Sequence, residues 1–264
     1  YELPNFRKSL QLVLRDKKLN MAVTHTQYLR HFLEALGLTA ERDAISDQFA
    51  KVAAEVVPAK GPLDRSGVQF LLGQADQLMR SGCIAEAGTM LQQLAQRISE
   101  EDGLSYSGPE AALDRAVTFH RFGHILRNTQ QLQAVLGIYQ KALSWLEGVE
   151  KKEAVQTERL SLYEDLAEAL LSTGQLEKAE KTCENGLEVA QKLQNEKSMG
   201  IMNAQLATVA MARQNMDTAR ENLETALVHF RAIDDKLNMT KTWNQLGIIS
   251  RQESNLEDAE RCHE

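Results

Sequence analysis

Residues 203–219 read NAQLATVAMARQNMDTA, and the same frame stands 40 residues to either side, as YEDLAEALLSTGQLEKA at 163–179 and WNQLGIISRQESNLEDA at 243–259. Leu166, Leu206 and Leu246 each precede a small residue, Ala167, Ala207 or Gly247, and each frame closes on an alanine, Ala179, Ala219 or Ala259, 16 residues after it opens. Small residues at a fixed period let two helices approach closely. One helix pair cannot bury both of its apolar faces, so neighbouring copies must stack and supply the missing contacts. An ordinary helical bundle needs no such period.

The frame continues upstream. Phe119-x2-Phe122-Gly123-x2-Leu126 leads to Val135, Tyr139 and Ala142, and before it come Leu71, Ala75, Leu78, Gly82, Ala87 and Leu91. Five copies, the last cut short, fill residues 68–264, with offsets of 48, 44, 40 and 40 between the Ala87-type positions. The pattern resembles the tetratricopeptide repeat (TPR), whose signature is W-x2-L-G-x2-Y followed by Ala and, four residues later, a large residue. Trp243, Leu246 and Gly247 stand as that signature asks. The spacing is longer than the roughly 34 residues of the standard repeat. It resembles the long-helix variant of scaffold adaptors and of the sensor ends of bacterial STAND-type signalling NTPases. The resemblance implies an all-α, right-handed superhelix of antiparallel helix pairs, whose concave groove captures a peptide or helix from a partner.

Breakers divide the chain. Pro58, Gly61, Pro62 and Gly67 in VPAKGPLDRSG (57–67) set off an N-terminal block, residues 1–60, from the array. The block reads as three helices at 4–16, 19–36 and 40–57, continuous with the solenoid and ended in part by Gly37. The stretch EEDGLSYSGPEA at 100–111 lengthens the first repeat, and Ser107 or Gly108 can cap a helix with Pro109 in its first turn. It reads as a tolerated insertion, with a partner-contact loop as the alternative. Gly148, Gly174 and the neighbourhoods of Asn215 and Asn255 mark further turns. Three helices and five pairs make about thirteen.

Composition excludes several functions. A formal charge of −7 and no run of more than two Lys/Arg argue against nucleic acid, whose binding rests on clustered cations. No apolar stretch approaches the ~18 residues of a membrane span, and YELPNFRKSL has no signal-peptide core, so a cytoplasmic protein is expected. Cys83, Cys183 and Cys262 are odd in number and lack zinc spacing. Cys183 reads as a small core hydrophobe. No phosphate loop, dinucleotide fingerprint, H-E-x-x-H or G-x-S-x-G is present, so no enzyme, catalytic residue, cofactor or metal is expected. The alternative is a metal-dependent module or enzyme on the His120-x3-His124 face, two imidazoles at a shareable helical spacing, with Asp76, Glu164 or Glu168 as third ligand.

In TPR proteins the first helix of each pair lines the groove. Carried onto this register, the partner-binding residues are Asp76, Arg80, His120, His124, Arg127, Asn128, Glu164, Glu168, Thr208, Lys241, Asn244 and Arg251. Gln69, Leu72, Ser161, Ala204, Met211 and Ile248 share their faces. Mixed charges suit an extended peptide bearing both signs. The Lys/Asn clamp used for acidic chaperone tails is absent. The chain starts without Met and stops at Cys262-His263-Glu264. It is therefore expected to be a fragment of a larger signalling protein, whose final helix, Asn255–Glu264, lacks a packing partner and invites self-association.

Overall fold

The computed structural model describes residues 19–57, 60–128, 131–149 and 152–261, together with residues 4, 5, 8, 9 and 12. Among them run eleven α-helices. These are α1 (Leu19–Ala35), α2 (Thr39–Val56), α3 (Arg65–Arg80), α4 (Ile84–Ser99), α5 (Pro109–Asn128), α6 (Leu132–Leu146), α7 (Glu153–Ser172), α8 (Leu176–Lys192), α9 (Glu196–Ala212), α10 (Met216–Ala232) and α11 (Lys236–Arg261). There is no strand among the described residues, only an isolated parallel bridge between Leu63 and Leu104.

One turn design recurs every 20 residues. Gly174, Gln194, Gln214 and Asp234 take φ of +70°, +52°, +63° and +51°. The amide of the next residue then reaches back to the helix just ended. Gln175 N donates to Leu170 O, Asn195 N to Ala190 O, Asn215 N to Ala210 O and Asp235 N to Phe230 O, each at 2.9 Å. This is the Schellman closure, which satisfies carbonyls that a helix end would leave orphaned. At three of these four turns the side chain of the same residue then caps the next helix. Asn195 Oδ1 accepts from Ser198 N at 3.1 Å, Asn215 Oδ1 from Thr218 N at 3.2 Å and Asp235 Oδ1 from Asn238 N at 3.1 Å. A turn this short can only reverse the chain, so consecutive helices pack antiparallel.

Two compact units make up the chain, Tyr1–Ile125 and Leu126–Glu264, with the boundary inside α5. In the first, Leu63, Val68, Leu72 and Ala75 meet Ala87, Leu91, Leu94 and Ile98, with Leu104, Ala111 and Ile125 closing the cluster. In the second, Leu160, Ala167, Cys183 and Met202 form one cluster, and Ala207, Ala219, Leu223, Leu227, Leu246 and Ile249 another. The small residues of the repeat frame, Ala75, Ala87, Ala167, Ala179, Ala207 and Ala219, are fully buried. So are Val135, Tyr139 and Ala142.

The 100–111 stretch is tied down rather than free. Leu63 N donates to Gly103 O and Ser105 N to Leu63 O, at 3.0 and 2.9 Å, while the Arg97 guanidinium donates twice to Gly61 O. A side chain on Gly103 would lie 2.0 Å from Arg97 O. The linker before the array and the loop after the first repeat thus form one latch.

Two expectations need correction, and a third falls outside the described region. Asn255 does not mark a turn, because α11 runs unbroken from Lys236 to Arg261. Ser254 occupies the place of Gly174 and Gln214, and it is helical, so the left-handed residue on which each of the other turns pivots is missing there. The separate final helix, and with it the count of thirteen, does not form. The helix placed at 4–16 lies largely outside the described residues, as do Pro58 and Cys262.

Candidate partner-binding faces

In the first unit, α3 and α5 carry the site residues expected there. Arg80 is exposed at the last position of α3. Asp76, half-buried, receives Arg121 Nη1 at 3.1 Å, so it ties α3 to α5. His120 is buried and His124 half-buried, one turn apart on α5 with ring centroids 4.8 Å apart. The pair supplies two of the three protein ligands that a zinc catalytic site uses. Leu72 belongs to the apolar cluster instead of a binding face.

The second unit holds the rest. Arg127 Nη1 contacts Asp165 Oδ1 at 3.0 Å and Glu168 Oε2 at 2.7 Å, joining the last turn of α5 to α7. Burial lowers and these carboxylates raise the Arg127 pKa, and the carboxylates prevail, so the guanidinium stays charged. Asn128 lies in α5, its side chain outside the described set. Glu164 is half-buried and Glu168 exposed on α7; Thr208 is half-buried on α9; Lys241, Asn244 and Arg251 are exposed on α11.

A row of residues that sequence reasoning missed ties these faces together. Position 205, one residue beyond the expected groove position Ala204, sends Gln205 Nε2 to the Glu164 carbonyl at 3.0 Å. Forty residues on, Gln245 Nε2 donates to Thr208 Oγ1 at 3.4 Å. Asp165 stands in the same column and takes Arg127. Each first helix thus reaches back to the one before it with a polar side chain. The signal was available, since 165, 205 and 245 are polar at the repeat period, yet polar residues beside an expected groove read as more groove.

Other titratable groups point inward. Asp114 is buried on α5; Tyr106 Oη donates to its Oδ2 at 2.6 Å and Arg65 Nε lies 3.3 Å away. Loss of solvent pushes the Asp114 carboxyl up, against the pull of Tyr106 and Arg65. Burial likewise pushes the Cys183 thiol up to about 12, helped by Glu184 and Glu180, so it stays protonated and unreactive, as expected of a core residue.

Helix pairs joined by short reversing turns, with polar faces on the first helix of each pair, define a helical-repeat array. Comparison with solved structures gives the particular type. BtubC (BKLC) from P. vanneervenii superposes with a TM-score of 0.66 at 18% identity, covering 89% of this chain and 93% of that one. A Podosopora anserina protein with nearly identical TPR-like repeats gives 0.56 at 16% identity, over 81% and 97%. Rap protein complexed with competence and sporulation factor gives 0.50 at 14% identity, over 96% and 76%. No protein-family model and no curated protein sequence matches the chain. The fold is that of the tetratricopeptide repeat proteins.

Proposed function

We propose that this chain is a protein-interaction module that binds a partner peptide along the faces of its first helices. The observation that carries the reading is the α7–α9–α11 stripe, where Glu168, Thr208, Lys241, Asn244, Ile248 and Arg251 keep exposed or half-exposed side chains on helices whose other faces are packed. Rap, a similar fold, has been solved complexed with competence and sporulation factor, which supports a ligand-binding role for an array of this kind. On the same reading the module acts as a scaffold or sensor within a larger cytoplasmic signalling protein and contacts neither nucleic acid nor membrane. The net charge of −7 supports the first exclusion. No helix among the described residues is long and apolar enough to cross a membrane.

The test is selection of random 12-residue peptides on the purified chain, followed by affinity measurement. Enriched peptides are expected to lose about tenfold or more in affinity against Lys241→Ala/Asn244→Ala, since a few anchors dominate such interfaces. Unchanged affinity would place recognition elsewhere. A second reading, the metal-dependent module, rests on the stacked His120 and His124 pair. Stoichiometric metal in the purified chain, lost on His120→Ala, would favour it.

A further inference from the structure

The 40-residue register lines up four rows across α7, α9 and α11: Ser161, Ile201 and Lys241; Glu164, Ala204 and Asn244; Glu168, Thr208 and Ile248; Leu171, Met211 and Arg251. The bonds from Gln205 to Glu164 and from Gln245 to Thr208 hold these helices side by side in that order. Read across the rows, charge changes sign. On α7 stand three carboxylates, Glu164, Asp165 and Glu168, the last two in contact with the Arg127 guanidinium. The α9 members, Ile201, Ala204, Thr208 and Met211, are uncharged and half-exposed. On α11, Lys241 and Arg251 are exposed with Asn244 and Ile248 between them. Asp235 feels the charge of Lys241, and its carboxylate is engaged by the Asn238 amide and side chain at 3.1 and 2.7 Å.

Resting on the peptide-binding reading above, we propose that this stripe fixes the direction of its ligand: an extended peptide with a cationic residue over α7, a small apolar residue over α9 and an acidic residue over α11. Packed helices lie about 8–10 Å apart, so two steps span about 16–20 Å. An extended chain advances about 3.3 Å per residue, which puts the cation and the acid about five or six residues apart. The reversed peptide places like charge on like charge at both ends, a penalty that sets specificity more than affinity.

The same 12-residue selection tests this when the recovered sequences are aligned. Peptides from the parent chain are expected to carry a cation and an acid about five or six residues apart, in one fixed order. Selection on Lys241→Glu/Arg251→Glu, whose exposed positions leave folding intact by circular dichroism, is expected to replace the acid with a cation and keep the other end. Selection on Glu168→Lys is expected to weaken the preference at the opposite end. A parent-selected peptide should bind the double variant at least tenfold more weakly. Enriched peptides without charge order, or an order unmoved by the double reversal, overturn the inference and leave peptide binding standing. Failure to enrich any peptide overturns both.

Discussion

Asp114 shows how a single residue's surroundings become a measurable pH effect. Its carboxyl is raised by burial, so the folded chain holds that proton more tightly than the unfolded chain does. Folding is then favoured by this group below the usual carboxyl pKa, and the benefit is lost as pH climbs through the folded value. Asp114→Asn keeps an acceptor for Tyr106 without the buried charge. Its stability relative to the parent should therefore improve between about pH 4 and pH 7, measured by urea unfolding at each pH; a constant difference would mean that Arg65 and Tyr106 fully offset the burial. Two glycines give a second residue-level contrast. A methyl on Gly200 would sit 2.5 Å from the buried Phe230 ring, whereas on Gly186 its nearest neighbour is the Met202 terminal methyl at 2.6 Å. A ring held on all sides cannot yield, and a thioether end can turn. Gly200→Ala should destabilise the chain clearly more than Gly186→Ala, at a cost of roughly 1–3 kcal/mol of overpacking that is read as the lower Tm of the two. At this scale the buried alanines were legible, because nothing but close helix approach explains Ala179 and Ala219 at a fixed period. The reach-back residues Asp165, Gln205 and Gln245 showed their polar period but not their role, since their contacts depend on how far one helix is offset from the next, a quantity no single repeat encodes.

At the scale of elements, the reversing turns carry the architecture. Gly174 adopts the left-handed backbone at little cost, but Gln194, Gln214 and Asp234 adopt it with a side chain in place. That conformation costs a non-glycine residue roughly 1–2 kcal/mol, partly set against the lower chain entropy of the unfolded state. Gln214→Gly should therefore stabilise the chain by about 0.5–1 kcal/mol, seen as a higher urea midpoint; a lower midpoint would show that the Gln214 side chain makes a contact worth more than the strain. The helix pairs themselves make the opposite demand. Ala207 and Ala219 are fully buried in one cluster with Leu223 and Leu246, so Ala219→Leu must force the two helices apart and should cost roughly 1–3 kcal/mol. The turn at Asn215 was legible from its capping side chain, and the same reasoning failed at Asn255. A cap residue permits a helix start without compelling one: Asn195 and Asn215 cap because a left-handed residue precedes them, and at Ser254 the helix continues instead.

For the whole molecule, the division into Tyr1–Ile125 and Leu126–Glu264 decides how damage should spread. In an array of stacked repeats each copy draws its stability from itself and its immediate neighbours, so a local loss is felt locally. The clusters support that picture, since Ala207, Ala210, Ala219, Leu223, Leu227, Leu246 and Ile249 all come from three consecutive helices. The first unit has its own reinforcement in the latch from Gly61 and Leu63 to Arg97, Gly103 and Ser105. Introducing Ala207→Leu should therefore speed amide exchange in α9, α10 and α11, as that cluster loosens. Peptides covering α3, α4 and the 100–108 loop should exchange at the parent's rate. Mass spectrometry of hydrogen exchange reads both regions in one experiment on the intact chain. Acceleration of equal size in α3 and α4 would mean that the two units open together, and stability would then have to be argued for 264 residues as one cooperative body.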